Sequence, residues 1–245
     1  MSSTTLNLSL KQLPRSVFTA ESLPGLIRDG LDFVRTIPNS REHTAETTVD
    51  IKWALAKSDA DIKVYSATHN KERWTSRATV APGVPYEVVR KSLAEEKNKA
   101  ELEYLCKPED TMEVTATEYF EELKIRLEDV HKLLHVQAFS AREFLETVIS
   151  HDLPDSENGL RSFIVVSMPL EGNVRSESAV LGQYVSVDYV HELEEGGVEI
   201  LLALCSDAKG SIPRWMQNMA MTTQVFGDGR LFLDYLLKKS QEGKQ

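Results

Sequence analysis

Between Leu23 and Val34 the apolar residues Leu23, Leu26, Ile27, Leu31 and Val34 recur at three-to-four spacing, directly after the polar run Thr19-Ala20-Glu21-Ser22. That period predicts a helix with one buried face, although Gly25 and Gly30 weaken it. A second helix is predicted over residues 85–105, with Val88, Val89, Leu93 and Leu102 on a rough stripe among charges. The stretch Met112-Glu113-Val114-Thr115-Ala116-Thr117-Glu118-Tyr119-Phe120 alternates and is rich in strand formers. Residues 123–136 fit either element: Ile125, Leu127 and Val130 suit a helix, whereas Leu133, Leu134 and Val136 suit a strand tail.

The second half of the chain is more regular. Phe163-Ile164-Val165-Val166-Ser167-Met168 is predicted as a strand, residues 174–190 as a long strand with a bend at Gly182, and residues 198–205 as a third. An interior glycine in a strand marks a bulge or a close approach. Gly196-Gly197 is a hairpin signal between the last two, so the three strands are expected to form an antiparallel meander. Asp207-Ala208-Lys209-Gly210-Ser211-Ile212-Pro213 reads as a turn leading into a helix. That helix is predicted over residues 214–239, with an apolar stripe at Leu231, Phe232, Tyr235 and Leu236. Lys238 and Lys239 complement its dipole. A break is expected at Gly227-Asp228-Gly229, where two glycines weaken a helix interior, and the break is a candidate hinge.

Composition narrows the function classes. The chain has 245 residues, 41% hydrophobic and 27% charged, with a formal net charge of −10. That length suits one domain covering residues 1–245, with loops at 38–43 and 154–159 and neither a repeat nor a flexible linker. The negative charge argues against nucleic acid as a partner and against broad adsorption to anionic membranes. No run of 18 apolar residues suggests stable membrane insertion. The first residues lack the basic flank and apolar core of a signal peptide. Only Cys106 and Cys205 are present, without metal or redox spacing; few thiols and no disulfide pattern suit a reducing, cytoplasmic setting.

Three motifs point further. Ser140-Ala141-Arg142-Glu143-Phe144 resembles the "SARDF" element of START domains, with Glu in place of Asp. Val174-Arg175-Ser176-Glu177 followed by Gly182-Gln183-Tyr184-Val185 is similar to their "VRAE…GY" strand. Asp207-Ala208-Lys209-Gly210-Ser211-Ile212-Pro213-Arg214-Trp215 resembles their entry to the final helix, and Val64-Tyr65 their early strand. The motifs occur in family order over residues 140–215, and their variants look closer to a fungal START-like family of uncharacterised function. The resemblance implies an α+β helix-grip fold: a curved antiparallel β-sheet wrapped around a long C-terminal α-helix, with a ligand cavity between them. It implies a largely apolar cavity and one hydrophobic small molecule, lipid, sterol, terpenoid or polyketide, held by a carrier or sensor. The wider superfamily also contains enzymes, so a cyclase, isomerase or pericyclase of secondary metabolism using the same pocket is the alternative.

Candidate site residues follow. Arg175 and Glu177 share a face of the predicted strand and either offer a polar handle inside the cavity or form a surface pair. Arg142 either contacts ligand or pins its strand start, and Tyr184 sits on the strand that the resemblance places in the wall. Met216 and Met219 line the first half of the final helix, where methionines adapt to varied ligands or simply pack on the sheet; Trp215 is expected to pack the helix base. Asp129 and His131 share a face if their segment is a strand, so they suit either acid–base work or a solvated edge pair. His131, His135 and His151 lack a ligand-like partner set. Neither a metal nor a cofactor is expected, and no hydrolase, phosphate-loop or dinucleotide signature is present.

Overall fold

The computed structural model describes residues 7–38, 49–136 and 139–242. Beyond Pro38, the loop expected at 38–43 lies outside them. The strands are β1 (Ala54–Ser58), β2 (Ile62–His69), β3 (Glu72–Ala81), β4 (Thr111–Phe120), β5 (Ile125–Leu134), β6 (Arg142–Asp152), β7 (Ser162–Pro169), β8 (Val180–Leu181), β9 (Gln183–Glu192) and β10 (Val198–Asp207). They form one open, curved sheet in the order β1-β2-β3-β10-β9-β7-β6-β5-β4. All pairs on this path are antiparallel, and β8 adds a short parallel contact to β6. The expected meander is present as β7, β9 and β10, with Gly196 and Gly197 turning the last hairpin at φ of 88° and 90°. An alanine at Gly197 would place its Cβ 2.4 Å from the Ala81 carbonyl oxygen, so the turn admits only glycine.

Strand periodicity divides the sheet into two faces. The outer face carries Trp74, Ile149, Ile164, Val166, Val187, Tyr189, Leu201 and Ala203, and is covered by α1 (Leu23–Val34). Gly30, which looked unfavourable in a helix, is where α1 approaches closest: a Cβ there would meet Ile164, Val166 and Val187 at 3.2–3.4 Å. The inner face carries Ile62, Val64, Phe163, Val165, Val190, Ile200, Leu202 and Leu204. Over it lie a bent helical segment and α4 (Arg214–Glu242). The bent segment consists of α2 (Tyr86–Arg90), a π turn (Lys91–Glu95) and α3 (Lys97–Tyr104).

Helix α4 corrects one expectation. It runs unbroken through Gly227-Asp228-Gly229, and neither glycine has a positive φ. Gly229 is buried where the helix crosses β3; a Cβ there would lie 2.7 Å from Cδ of Arg77, while a Cβ at Gly227 meets nothing within 4 Å. One glycine therefore serves close packing and the other is open to solvent. Gly227→Ala is expected to raise stability by about 0.5–1 kcal/mol through helix propensity. Gly229→Ala is expected to gain nothing, because Arg77 must swing away from the Val225 carbonyl that it holds at 3.2 Å. Chemical denaturation of both variants checks this; equal stabilisation would show that the helix does not press on Arg77.

The two halves of α4 differ. Phe232, Leu233 and Leu236 pack against Phe163, Val165 and Ile200, with Tyr104 and Tyr235 at their edge. Each such side chain contributes about 1.5–3 kcal/mol on burial. The first three turns are open instead: Trp215 is 62% and Met219 73% exposed, with Met216 exposed beside them. Trp215 therefore does not pack the helix base, and Met216 and Met219 do not pack on the sheet; Met221, further along the helix, leans on Ile62, Val64 and Leu204.

Candidate functional site

The inner face changes character along the sheet. Under the second half of α4 it is apolar and filled. Next to it, on β5, β6, β7 and β9, the inward positions are Lys132, Glu146, Ser167, Ser186, Asp188 and Tyr184. Strand register brings them together: Ser167 stands directly opposite Ser186, Val148 opposite Ser167, and Val130 opposite Glu146. Helix α3 lowers Lys97 and Glu101 onto this floor.

The result is an alternating buried chain of charges. Lys97 Nζ lies 3.2 Å from Asp188 and 3.1 Å from Glu101; Lys132 Nζ lies 3.2 Å from Glu101 and 3.2 Å from Glu146. Burial opposes the charges of Lys97, Glu101, Lys132 and Glu146. It is outweighed at Glu101, where Lys132 and Lys97 bring the carboxyl down to about 2, and at both lysines, which the carboxylates hold above the usual range. It is not outweighed at Glu146: burial raises this carboxyl despite Lys132, and Glu101 nearby adds to the rise. Tyr184 stands over the network, with Lys132 Nζ 5.7 Å from its ring, and burial raises its hydroxyl. Arg77, Thr79 and Asp228 extend the polar region toward α4. Several buried atoms here make no hydrogen bond among the described residues: Ser167 Oγ, Ser186 Oγ, Thr79 Oγ1, Arg77 Nε and Asn98 Oδ1. Buried polar groups are normally satisfied; on the outer face Trp74 Nε1, Ser76 Oγ and Glu72 Oε2 also lack a bond, and what the inner face adds is the facing pair of serine hydroxyls beside the ionic chain.

The expected apolar cavity is thus corrected in character: the space under the packed half of α4 is filled, and the floor beside it is ionic. Two clefts of about 290 Å³ and 250 Å³ lie elsewhere, flanking loop 153–162.

The sequence-derived candidates fall into three groups. Tyr184 lies at the inner face as expected. Arg142 is buried but donates to the carbonyls of Ser140, Ala141, Ala208 and Lys209, so it pins the turn before α4 to β6. Arg175 and Glu177 correct the predicted strand over 174–190: residues 171–179 are a loop, and both side chains are exposed. Arg175 pairs with Glu113 at 2.6 Å on the surface. The loop is held by Glu143, which accepts from the Arg175 and Ser176 amides at 2.7 and 2.8 Å. Gly182 separates β8 from β9 because the backbone crosses the Phe144 ring, where a Cβ would sit 2.4 Å from the ring. The three residues Arg142-Glu143-Phe144 therefore fasten three neighbouring segments.

Asp129 and His131 are buried on the outer face rather than solvated at an edge, and each is committed structurally. Asp129 accepts from Arg15 at 3.0 Å and Thr147 at 2.8 Å; His131 bonds Glu143 at 2.8 Å. Missed in the sequence were Lys97, Glu101, Lys132, Glu146 and Asp188, which lie on four separate elements. The one available signal was the inward parity of Lys132 and Glu146 once β5 and β6 are recognised as strands. Among the described residues, no group of three or more His, Cys, Asp or Glu is placed to hold a metal ion, and no helix is long and apolar enough to cross a membrane.

Known structures share this architecture. Human STARD10 aligns with 89% of this chain and 82% of its own at 14% identity and a TM-score of 0.63. Human StAR-related lipid transfer protein 5 aligns with 90% and 99% at 12% identity and 0.56, and a STAR-related lipid transfer protein from Xanthomonas axonopodis with 75% and 98% at 18% and 0.56. The fold is therefore the START-like helix-grip fold. No curated protein matches the chain in sequence. A family model does, over residues 74–236, from β3 through the packed half of α4, and the chain belongs to that family, the proteins of unknown function designated DUF3074.

Proposed function

We propose that this protein binds one amphipathic small molecule, lipid-like in its apolar part, on the inner face of the sheet beneath α3 and the open half of α4, as a carrier or sensor. The observation that carries this is the set of buried, unpartnered polar atoms on that face, next to a helix half that leaves apolar side chains uncovered. A fold shared with structures of StAR-related lipid transfer proteins supports it. A catalytic role has no comparable support: the acid–base pair suggested by the sequence is engaged on the opposite face.

Native mass spectrometry of protein purified from cells is expected to reveal one non-covalent small molecule per chain, extractable into organic solvent. Ser167→Val with Ser186→Val is expected to remove or exchange that molecule while leaving the circular dichroism spectrum intact. A ligand-free protein that also takes up no added amphiphile would overturn the proposal.

A further inference from the structure

The inner charges do not balance. Linked by ion pairs on the floor are the cations Lys97 and Lys132 and the carboxylates Asp188, Glu101 and Glu146. The excess is one carboxylate, and geometry shows where it falls. Within the chain Asp188–Lys97–Glu101–Lys132–Glu146, each lysine sits between two carboxylates, and Glu101 has both lysines. Glu146 is terminal: its one cation partner among the described residues, Lys132, is shared with Glu101. Its Oε2 lies 3.2 Å from Lys132 Nζ, a cation already engaged by Glu101, and the residue is 2% exposed. Burial has raised its carboxyl, as expected for an under-neutralised acid.

The surroundings of Glu146 point to what would complete it. Pro169 is its direct neighbour on β7, and Ser167, two residues back on the same face, is the diagonal neighbour; Ser186 stands opposite Ser167. Both hydroxyls are fully buried and unpartnered. A hydroxyl both donates and accepts, so the two serines serve a polar head of either kind, whereas the carboxylate accepts only. An anionic head would face Glu146 and its surplus charge at close range in a desolvated setting, where like charges repel strongly.

We infer that the ligand presents a hydrogen-bond-donating, non-anionic head, an amine or a hydroxyl, to Glu146, with Ser167 and Ser186 beside it. This rests on the binding site proposed above and specifies its head-group chemistry. An ammonium supplies the missing positive charge as well as a donor; a hydroxyl supplies the donor alone. The order of preference is therefore amine, then alcohol, then carboxylate.

The test uses three amphiphiles of equal chain length, decylamine, decanol and decanoate, titrated into the purified full chain at neutral pH and followed by native mass spectrometry and calorimetry. Decylamine is expected to bind at least tenfold more tightly than decanoate, with decanol between them. Glu146→Gln, which removes the charge but keeps shape and hydrogen bonding, is expected to weaken decylamine at least tenfold, change decanol little, and fold with equal or greater stability. Ser186→Ala, a milder change, is expected to weaken both decylamine and decanol. Decanoate binding as tightly as decylamine, or Glu146→Gln leaving the preference unchanged, would overturn the head-group assignment while the site stands. Failure of all three to bind would count against the site itself.

Discussion

Replacing Lys132 with methionine is expected to cost about 3–5 kcal/mol of stability at neutral pH, the range for breaking a buried charge network by removing one partner. Lys132 Nζ is the only cation within ion-pair distance of Glu146 among the described residues and one of two at Glu101. Methionine fills most of the volume, so the loss is electrostatic rather than a cavity effect. The deficit should depend on pH, and the sign follows from Glu146. Its carboxyl is raised in the folded chain, so its unfavourable contribution is absent below its ordinary value of 4.5 and grows as pH rises through the folded value. Without Lys132 that folded value climbs further. The variant should therefore be much weaker than the parent at pH 8 and closer to it at pH 5.5. Adding Glu146→Gln to Lys132→Met should recover part of the loss, which a double-mutant cycle measures. Urea unfolding at the two pH values is the check. A deficit below about 1 kcal/mol, or one that does not change with pH, would mean that the network is solvated and not the desolvated floor described above.

The same network explains what was legible in the sequence. Strands β7, β9 and β10 were readable because β7 and β10 are long apolar runs, the outward positions Val185, Val187 and Tyr189 of β9 alternate with its polar inward ones, and a Gly-Gly turn joins β9 to β10. Helix α1 was readable because its buried face is a clean apolar stripe. Strands β5 and β6 were not, and for one reason: their inward positions carry Lys132, Glu146 and Ser150, and their outward positions carry Asp129, His131, Glu143 and Thr147. Half of this pattern is polar on both faces, so neither period stands out. The hairpin between β4 and β5 is also unmarked, since its left-handed residue is Lys124, at a φ of 52°, rather than glycine or asparagine. The loop at 171–179 reads as strand because Val174 opens it and the strand-like Val180 and Leu181 of β8 follow it, while the Glu143 carboxylate that ties the loop down is more than thirty residues earlier. Elements whose stability comes from local pattern were visible; elements held by long-range polar contacts were not. The candidate site consists almost wholly of the second kind. Its one residue named in advance, Tyr184, came from the resemblance and not from periodicity.

Asp228 gives the second large effect, and it joins the floor to α4. It lies near the middle of the helix, at the boundary between the open and the packed halves, within the electrostatic reach of Arg77 on β3 and Glu101 on α3. Burial raises its carboxyl to about 6; Arg77 opposes the rise and Glu101 adds to it. Arg77 is only a partial counter-charge: its pull on Asp228 is smaller than the effect of burial, and its Nη1 donates to the Val225 carbonyl instead. For a carboxyl raised in the folded state, the favourable contribution is complete below the ordinary value of 3.8 and is lost as pH rises through about 6. Asp228→Asn removes the ionisation without changing size. Its advantage over the parent should be near zero at pH 4, appear between pH 4 and pH 6.5, and level off above. The full difference corresponds to about 3 kcal/mol; partial solvent contact at this position reduces the expected plateau to about 1–2 kcal/mol. The gain should be local as well as global. Amide exchange in residues 225–236 should slow in the variant at pH 8, because that segment carries the charge, while exchange in β7 and β9 follows only the overall change in stability. In the parent the same segment should exchange more slowly at pH 5 than at pH 8 once intrinsic rates are corrected, as the neutral carboxyl lets α4 settle on β3. A variant less stable than the parent at pH 8, or an advantage that does not vary with pH, would show that Arg77 fully neutralises Asp228. In that case the contact between α4 and the sheet would be an ion pair rather than a strained one.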